Sequence, residues 1–320
     1  MSKGFWEKLE TPFFALAPMY DVTDAAFRRM IAKYSAPDVI FTEFVSVDGL
    51  SHPKGREKLM HHLWFDESER FVVAQVFGVY PKNFEKVAQL CKERGFDGID
   101  INMGCPEKNI VKQGTGSALI NDPELAKDII SATISGAGDM PVSVKTRIGF
   151  NKEEIDQWLP HILEKDVAAL TVHLRTRKEM SKVPAHWNLM SRIVDIKNDL
   201  RPEVKLLGNG DVTSVVQGKE LIKRYGCDGV MIGRGVFGNP WIFSGNAMSV
   251  SMEEKLRVMV EHTKLFAELF TGIKNFAIMK KHYKAYISGF PQASNLRAQL
   301  MNARDATHVE DIVDNFLSKK

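Results

Sequence analysis

Cys105 stands between Gly104 and Pro106, at the end of the apolar run Gly98–Met103. A lone cysteine is ordinarily a small buried hydrophobe. That role suits Cys91, inside a helix-like segment, and Cys227, just before a strand-like run. A cysteine pinned at a sharp turn where a strand ends is a different case, because such an end faces whatever binds there. Reading every strand-length apolar run in the same way collects further groups. They are Ala17, Pro18 and Met19; Glu43; Gln75; Asn102 with Cys105; Lys145 with Arg147; His173 with Arg175; Asn209 with Gly210 and Asp211; and Gly233 with Arg234. A single polar strand end is explained by its nearness to water. Eight that behave alike and converge on one rim indicate a shared ligand. Lys145 lies among small and apolar residues, where an ammonium must either lie along the rim or meet an anionic neighbour. That neighbour is either a bound cofactor or an acid such as Asp100 or Asp211, and the sequence leaves both open.

The elements that must position these groups are eight apolar runs, at 13–19, 39–45, 71–78, 98–104, 141–147, 169–175, 204–210 and 229–235. Helix-like segments lie between them. Lys82–Arg94 repeats apolar residues at helical spacing, Asp122 with Pro123 reads as a cap followed by proline in the first turn, and Val215–Tyr225 is a third. Strands alternating with helices over residues 1–250 match a (β/α)₈ TIM barrel, which needs about 250 residues and builds its site from the carboxyl ends of the strands. A doubly wound sheet would put its glycine-rich phosphate turn after the first strand. Here Gly208-Asn209-Gly210-Asp211 and Gly233-Arg234-Gly235 follow the seventh and eighth. Glycines in those two places let backbone N–H groups approach a phosphate, and Arg234 can neutralise it. The pair points to a phosphorylated cofactor such as FMN.

Residues 251–320 change character and read as a small all-helical domain. Ser251-Met252-Glu253-Glu254 and Thr307-His308-Val309-Glu310 have the capping-box pattern, and Phe276–Ser288 and Ser294–Ala303 read as helices broken by Gly289-Phe290-Pro291. Charge is uneven. Residues 1–250 carry 32 Lys and Arg against 32 Asp and Glu, whereas 251–320 carry 11 against 8. No acid lies between Glu268 and Asp305, while Lys274, Lys280, Lys281, Lys284, Arg297 and Arg304 do. An acid-free window of that length favours an anionic partner over a merely solvated face. Three widely spaced cysteines, with no CxxC pair, suggest neither a disulfide framework nor a metal site, and favour a reducing, cytoplasmic setting. The N-terminal stretch lacks the long apolar run of a signal peptide or membrane span.

Taken together these stretches resemble the tRNA-dihydrouridine synthases, flavoenzymes that reduce uridine in tRNA. The resemblance is carried by Ala17-Pro18-Met19 with Val22-Thr23-Asp24, Gln75-Val76-Phe77-Gly78, Asn102-Met103-Gly104-Cys105-Pro106 and Lys145-Thr146-Arg147-Ile148-Gly149. It continues through His173-Leu174-Arg175-Thr176-Arg177, Gly208-Asn209-Gly210-Asp211-Val212 and Met231-Ile232-Gly233-Arg234-Gly235, and the tail from Met279 to Leu300 looks like the family's helical domain. One loop departs from the family pattern. Ala185 and Trp187 are in register, but Ser181 and Val183 stand where tyrosine and glycine are usual.

The resemblance implies roles. Cys105 would protonate C5 of a uracil while reduced FMN delivers hydride to C6, a thiol with an ordinary pKa of about 8.5 being mostly protonated at neutral pH. Ala17, Pro18 and Met19 would pack on the flavin, Gln75 and Asn102 would orient ring or uracil, and Lys145 would stabilise negative charge on the reduced ring. His173 would reach the ribityl or phosphate region, with Asn209, Gly210, Asp211, Gly233 and Arg234 holding ribityl and phosphate. Arg175 and Arg177 would meet RNA at the rim, and Lys280, Lys281, Lys284 and Arg297 would line a backbone-binding face for tRNA. NADPH or NADH would re-reduce the flavin. A monomer with no obligatory protein partner and no membrane association is expected. Other classes compatible with the barrel are a small-pyrimidine flavoenzyme, a non-catalytic RNA binder and a flavin-free phosphate-binding enzyme. A small-pyrimidine enzyme would have no need of the basic tail, and Cys105, Lys145 and His173 together argue against loss of catalysis.

Overall fold

The computed structural model describes residues 3–245 and 250–319. Eight parallel strands form its centre: β1 Phe13–Leu16, β2 Val39–Phe41, β3 Val72–Phe77, β4 Gly98–Met103, β5 Val142–Arg147, β6 Ala169–His173, β7 Lys205–Asn209 and β8 Gly229–Ile232. Each pairs with the next in sequence, and β8 returns to β1 through Phe13 opposite Gly229 and Leu16 opposite Ile232. The sheet is therefore a closed barrel, as the alternation predicts, and the doubly wound alternative is excluded. A two-residue strand, Val45–Ser46, prolongs the β2 connection alongside the end of β3. Strands covered on both faces read as unbroken apolar runs; all six residues of β4 are buried. The short 3₁₀ turn Gly4–Lys8 presses Phe5 and fully buried Trp6 against Phe13 and Phe41, filling the barrel interior from its amino-terminal side. The carboxyl end of the barrel is left for the site.

Among the described residues, six helices of nine residues or more wrap the barrel: α1 Ala25–Ser35, α2 Pro81–Glu93, α3 Pro123–Ala137, α4 Ile155–Leu163, α5 Met190–Leu200 and α6 Val215–Tyr225. Three of them start on a side-chain cap. Asp24 accepts from the Phe27 N–H, Asp122 from Leu125 and Ser214 from Gln217. The expected helix at Lys82–Arg94 begins one residue earlier, because Pro81 occupies its first turn.

Beyond Ser251 come α7 Met252–Phe270, α8 Lys280–Tyr286, α9 Ala293–Leu300 and α10 Ala306–Leu317. The Ser251 cap is present, its hydroxyl accepting from the Glu254 N–H. The expected cap at Thr307 is corrected. Asp305 caps α10 through the His308 N–H, so Thr307 lies inside the first turn. The single helix expected at Phe276–Ser288 is a 3₁₀ turn, Phe276–Met279, running into α8. These helices share a hydrophobic cluster with α1: Leu256, Phe266, Phe270, Tyr283 and Leu300 pack with Ala25, Ala26 and Met30. The tail is thus docked on the barrel's first helix. The boundary expected at residue 250 adjoins 246–249, which lie outside the described residues. Among the described residues, no helix is long and apolar enough to cross a membrane.

Candidate active site

The end of β4 shows how the opening cysteine is held. Asn102 Oδ1 accepts from the backbone N–H of Gly104 at 3.1 Å and of Cys105 at 2.9 Å, an Asx turn that folds the chain sharply back. Any side chain on Gly104 would come within 3.2 Å of the Thr146 backbone. The Cys105 carbonyl accepts from Ser117 Oγ at 2.8 Å, and Arg147 Nε donates to the Gly104 carbonyl at 2.7 Å. The thiol lines a cavity of about 490 Å³ at the carboxyl end of the strands. Burial pushes its pKa up, against the opposing charges of Arg147 and Lys145, so the proton stays on sulfur at neutral pH.

Asn102 is itself fixed. Its Nδ2 donates to Gln75 Oε1 at 3.0 Å, Gln75 Nε2 donates to Asp100 at 2.7 Å, and Ser143 Oγ donates to the other Asp100 oxygen at 2.6 Å. Burial raises the Asp100 pKa to about 6, although both hydrogen bonds and the Lys145 charge oppose it. Across the cavity Lys145 Nζ donates to Asn209 Oδ1 at 3.0 Å, and Asn209 Nδ2 donates to the Met231 carbonyl at 2.8 Å. Among the described residues neither Asp100 nor Asp211 forms a direct ion pair with Lys145, although the Asp100 charge acts on it. Burial, helped by the Arg147 charge, lowers its pKa to about 8. His173 faces the same cavity with Nδ1 buried and unpartnered. Burial, then the charges of Arg147, Lys145, Arg175 and Arg234, hold its imidazole well below the usual range, and therefore neutral.

The structure brings to this one cavity Cys105 and all the residues expected around the cofactor: Ala17, Pro18, Met19, Gln75, Asn102, Lys145, His173, Asn209, Gly210, Asp211, Gly233 and Arg234. Asp211 lines the cavity with its carboxylate engaged: it accepts from Arg175, from Arg234 at 2.9 Å and from the Ala185 N–H at 2.9 Å. It positions Arg234, which remains 62% exposed along its side chain. Arg175 is not at the rim. It is 2% exposed, held by Asp211 and the Val183 carbonyl, because a buried guanidinium requires an acidic partner. Arg177 is half-buried, its guanidinium 5.2 Å from the Phe150 ring.

The C-terminal basic set is dispersed rather than uniform. Lys281 and Lys284 are exposed on α8, Lys280 is half-buried, and Arg297 donates to the Ile287 carbonyl at 2.7 Å. Lys281 Nζ reaches the barrel itself, donating to the Asp21 carbonyl at 2.7 Å. Lys274 leaves the basic surface altogether. It is 5% exposed and pairs with Glu43 at 2.8 Å, with Asp21 and Asp24 at 3.7 and 3.8 Å. Sequence reasoning also passed over Phe44, which lines the cavity one residue beyond the noted Glu43. Carrying the strand-end reading one position further would have found it.

The family model described as "Dihydrouridine synthase (Dus)" matches residues 15–320. A relative from Staphylococcus aureus (strain COL), "Probable tRNA-dihydrouridine synthase", is 42% identical over 318 residues, 99% of this chain and 96% of its own. "Probable tRNA-dihydrouridine synthase 2" of Bacillus subtilis (strain 168) is 42% identical over 321 residues, covering 100% and 98%. Among solved structures, 6-hydroxypseudooxynicotine amine oxidase from Pseudomonas geniculata N1 superposes with a TM-score of 0.55 at 12% identity, over 75% of this chain and 47% of that one. This chain thus spans about half the length of that structure, and the likeness concerns the fold alone. With the family match running almost from end to end, the chain belongs to the dihydrouridine synthase family and is an oxidoreductase.

Proposed function

We propose that this protein reduces the C5–C6 double bond of a uridine in tRNA, with FMN in the barrel mouth and Cys105 as the general acid. The names of the relatives support the substrate class. The observation that carries the chemistry is the Cys105 thiol, protonated and fixed on the wall of a cavity that also holds Lys145 and His173.

The residues fit FMN. Ala17, Pro18 and Met19 form an apolar wall for a flat ring, and a Cβ built on Gly233 would lie 3.5 Å from Ala17 Cβ and 3.8 Å from Met19 Sδ, so glycine keeps that space open. Lys145 supplies a cation for a ring carrying negative charge, the unpartnered His173 Nδ1 awaits a polar ligand atom, and Arg234 stands exposed for a phosphate. When bound and reduced, FMN supplies the hydride that goes to C6. Cys105 gives its proton to C5, and solvent restores it. Asn102 and Gln75 keep the thiol-bearing turn in register, while Arg147 fixes the Gly104 carbonyl beside it. A uridine within folded tRNA reaches the thiol only if it leaves the stack, and the open rim admits such a base.

NADPH or NADH re-reduces the cofactor in this reading. Residues 1–250 form the catalytic barrel and 251–320 the tRNA-binding unit, with Lys281 and Lys284 facing the phosphate backbone. The protein works as a cytoplasmic monomer. The test is mass spectrometry of uridine-containing fragments from unmodified tRNA incubated with the protein, FMN and either nicotinamide nucleotide. A gain of two hydrogen masses at a defined uridine, absent with Cys105→Ala, is expected. No gain from protein whose flavin is bound and reducible would overturn the proposal.

A further inference from the structure

The turn after β1 carries an exposed aromatic side chain beside the cavity. Tyr20 is 52% exposed, a large ring standing in water directly after Met19, which lines the cavity. Its ring lies 5.5 Å from the Phe44 ring, tilted by 34°, and 5.6 Å from the His62 ring, nearly parallel at 28°. Phe44 faces the cavity and is braced edge-on by Phe77 at 5.6 Å. Tyr20 and Phe44, the latter backed by Phe77, therefore form an aromatic shelf that reaches the cavity at Phe44.

The shelf is rigidly mounted. Thr23 Oγ1 accepts from the Met19 N–H at 2.9 Å, and Glu43 accepts from the Asp21 N–H at 2.6 Å. Lys281, from the tail, donates to the Asp21 carbonyl, while buried Lys274 holds Glu43. The turn is gripped from the barrel and from the basic tail at once. That grip brings Lys281 to the backbone of the residue that follows the exposed ring.

We infer that Tyr20, backed by Phe44, is a stacking platform for a nucleobase of the RNA adjacent to the uridine that enters the cavity. Two observations and one general property of bases select this occupant. The shelf is continuous with the cavity, so a base resting on it belongs to the same strand as the base inside. Lys281 and Lys284 supply positive charge on the neighbouring helix for the intervening phosphates. Every base has a π-face, so an aromatic platform grips a neighbour whatever its identity. Tyr20 is thus a positioning residue, acting on the depth and orientation of the reactive uridine through its neighbour.

The inference rests on the uridine-reducing reading above, and one experiment separates the two. Steady-state reduction of unmodified tRNA is compared for wild type, Tyr20→Ala and Tyr20→Phe, together with FMN content and the rate at which NADPH reduces the flavin without tRNA. Loss of one stacked base is worth roughly a five- to hundred-fold change. Tyr20→Ala is expected to lower kcat/KM for tRNA by that much, mainly through KM. FMN content and the NADPH half-reaction should stay unchanged, and Tyr20→Phe should keep most of the wild-type value because it keeps the ring. If wild type reduces tRNA and Tyr20→Ala does so with equal kcat/KM, the platform is overturned and the reaction stands. An equal loss in Tyr20→Phe would assign the effect to the hydroxyl and overturn stacking. If wild-type protein with reducible flavin leaves every uridine intact, the reaction itself falls and the platform falls with it.

Discussion

Three cysteines in one chain show how surroundings sort identical side chains. Burial pushes Cys91 and Cys227 up to about 12, which leaves them inert hydrophobes inside the fold. Cys105 is also raised by burial but lines a cavity beside two cations. This distinction was legible in the sequence because it is local: Asn102, Gly104 and Pro106 make the turn within five residues. The role of Asp211 was not legible, since its partner Arg175 lies 36 positions away and is brought beside it by the pairing of β6 with β7. Lys145 is the residue whose pH behaviour can be derived. Its pKa of about 8 is depressed, so the ammonium is charged below that pH and neutral above it. An anionic ligand binds the charged form and raises that pKa. Affinity for reduced FMN should therefore fall as pH rises through about 8, by at most tenfold per unit. Anaerobic calorimetry across pH 7 to 10 on wild type and Lys145→Met checks this. A wild-type slope that persists in the variant would assign the dependence to another group.

At the scale of elements, all eight apolar runs became the expected strands, because parallel strands buried on both faces cannot disguise their composition. Helix starts were less secure. The Thr307 pattern competed with an aspartate two residues earlier, and Asp305 won because its carboxylate accepts the His308 N–H. Close helix packing was not legible at all. Gly136 in α3 sits against α2 so tightly that a Cβ would lie 1.9 Å from the Glu85 carbonyl oxygen. Gly136→Ala must push the two helices apart, and a loss of about 1–3 kcal/mol is expected in urea unfolding despite alanine's better helix propensity. A stabilised variant would show that the interface has slack.

The whole molecule depends on how the tail meets the barrel. The tail's positive charge was readable as composition, but its division between surface and interior was not. Lys281 and Lys284 stay outside, whereas Lys274 is drawn into a pocket of acids supplied by the first two strand ends. Burial raises Glu43, yet the His62 hydrogen bond and the Lys274 charge outweigh it and hold the carboxyl well below its ordinary range. Removing one partner of such a pair strands the other, so Lys274→Met should cost about 3–5 kcal/mol, and Glu43→Gln in the same chain should recover part of it. Additive losses in that double-mutant cycle would mean the pair is not coupled. In the proposed reaction the barrel's cavity receives a base delivered from outside, and a single-turnover experiment follows that event. FMN-loaded protein, reduced and freed of excess nucleotide, is mixed anaerobically with unmodified tRNA while flavin absorbance is followed. Wild type should be reoxidised with formation of dihydrouridine, and Cys105→Ala, with the same flavin content, should be slowed by about 10²–10⁴-fold. Equal reoxidation rates in the two proteins would contradict the assignment of Cys105 as the proton donor.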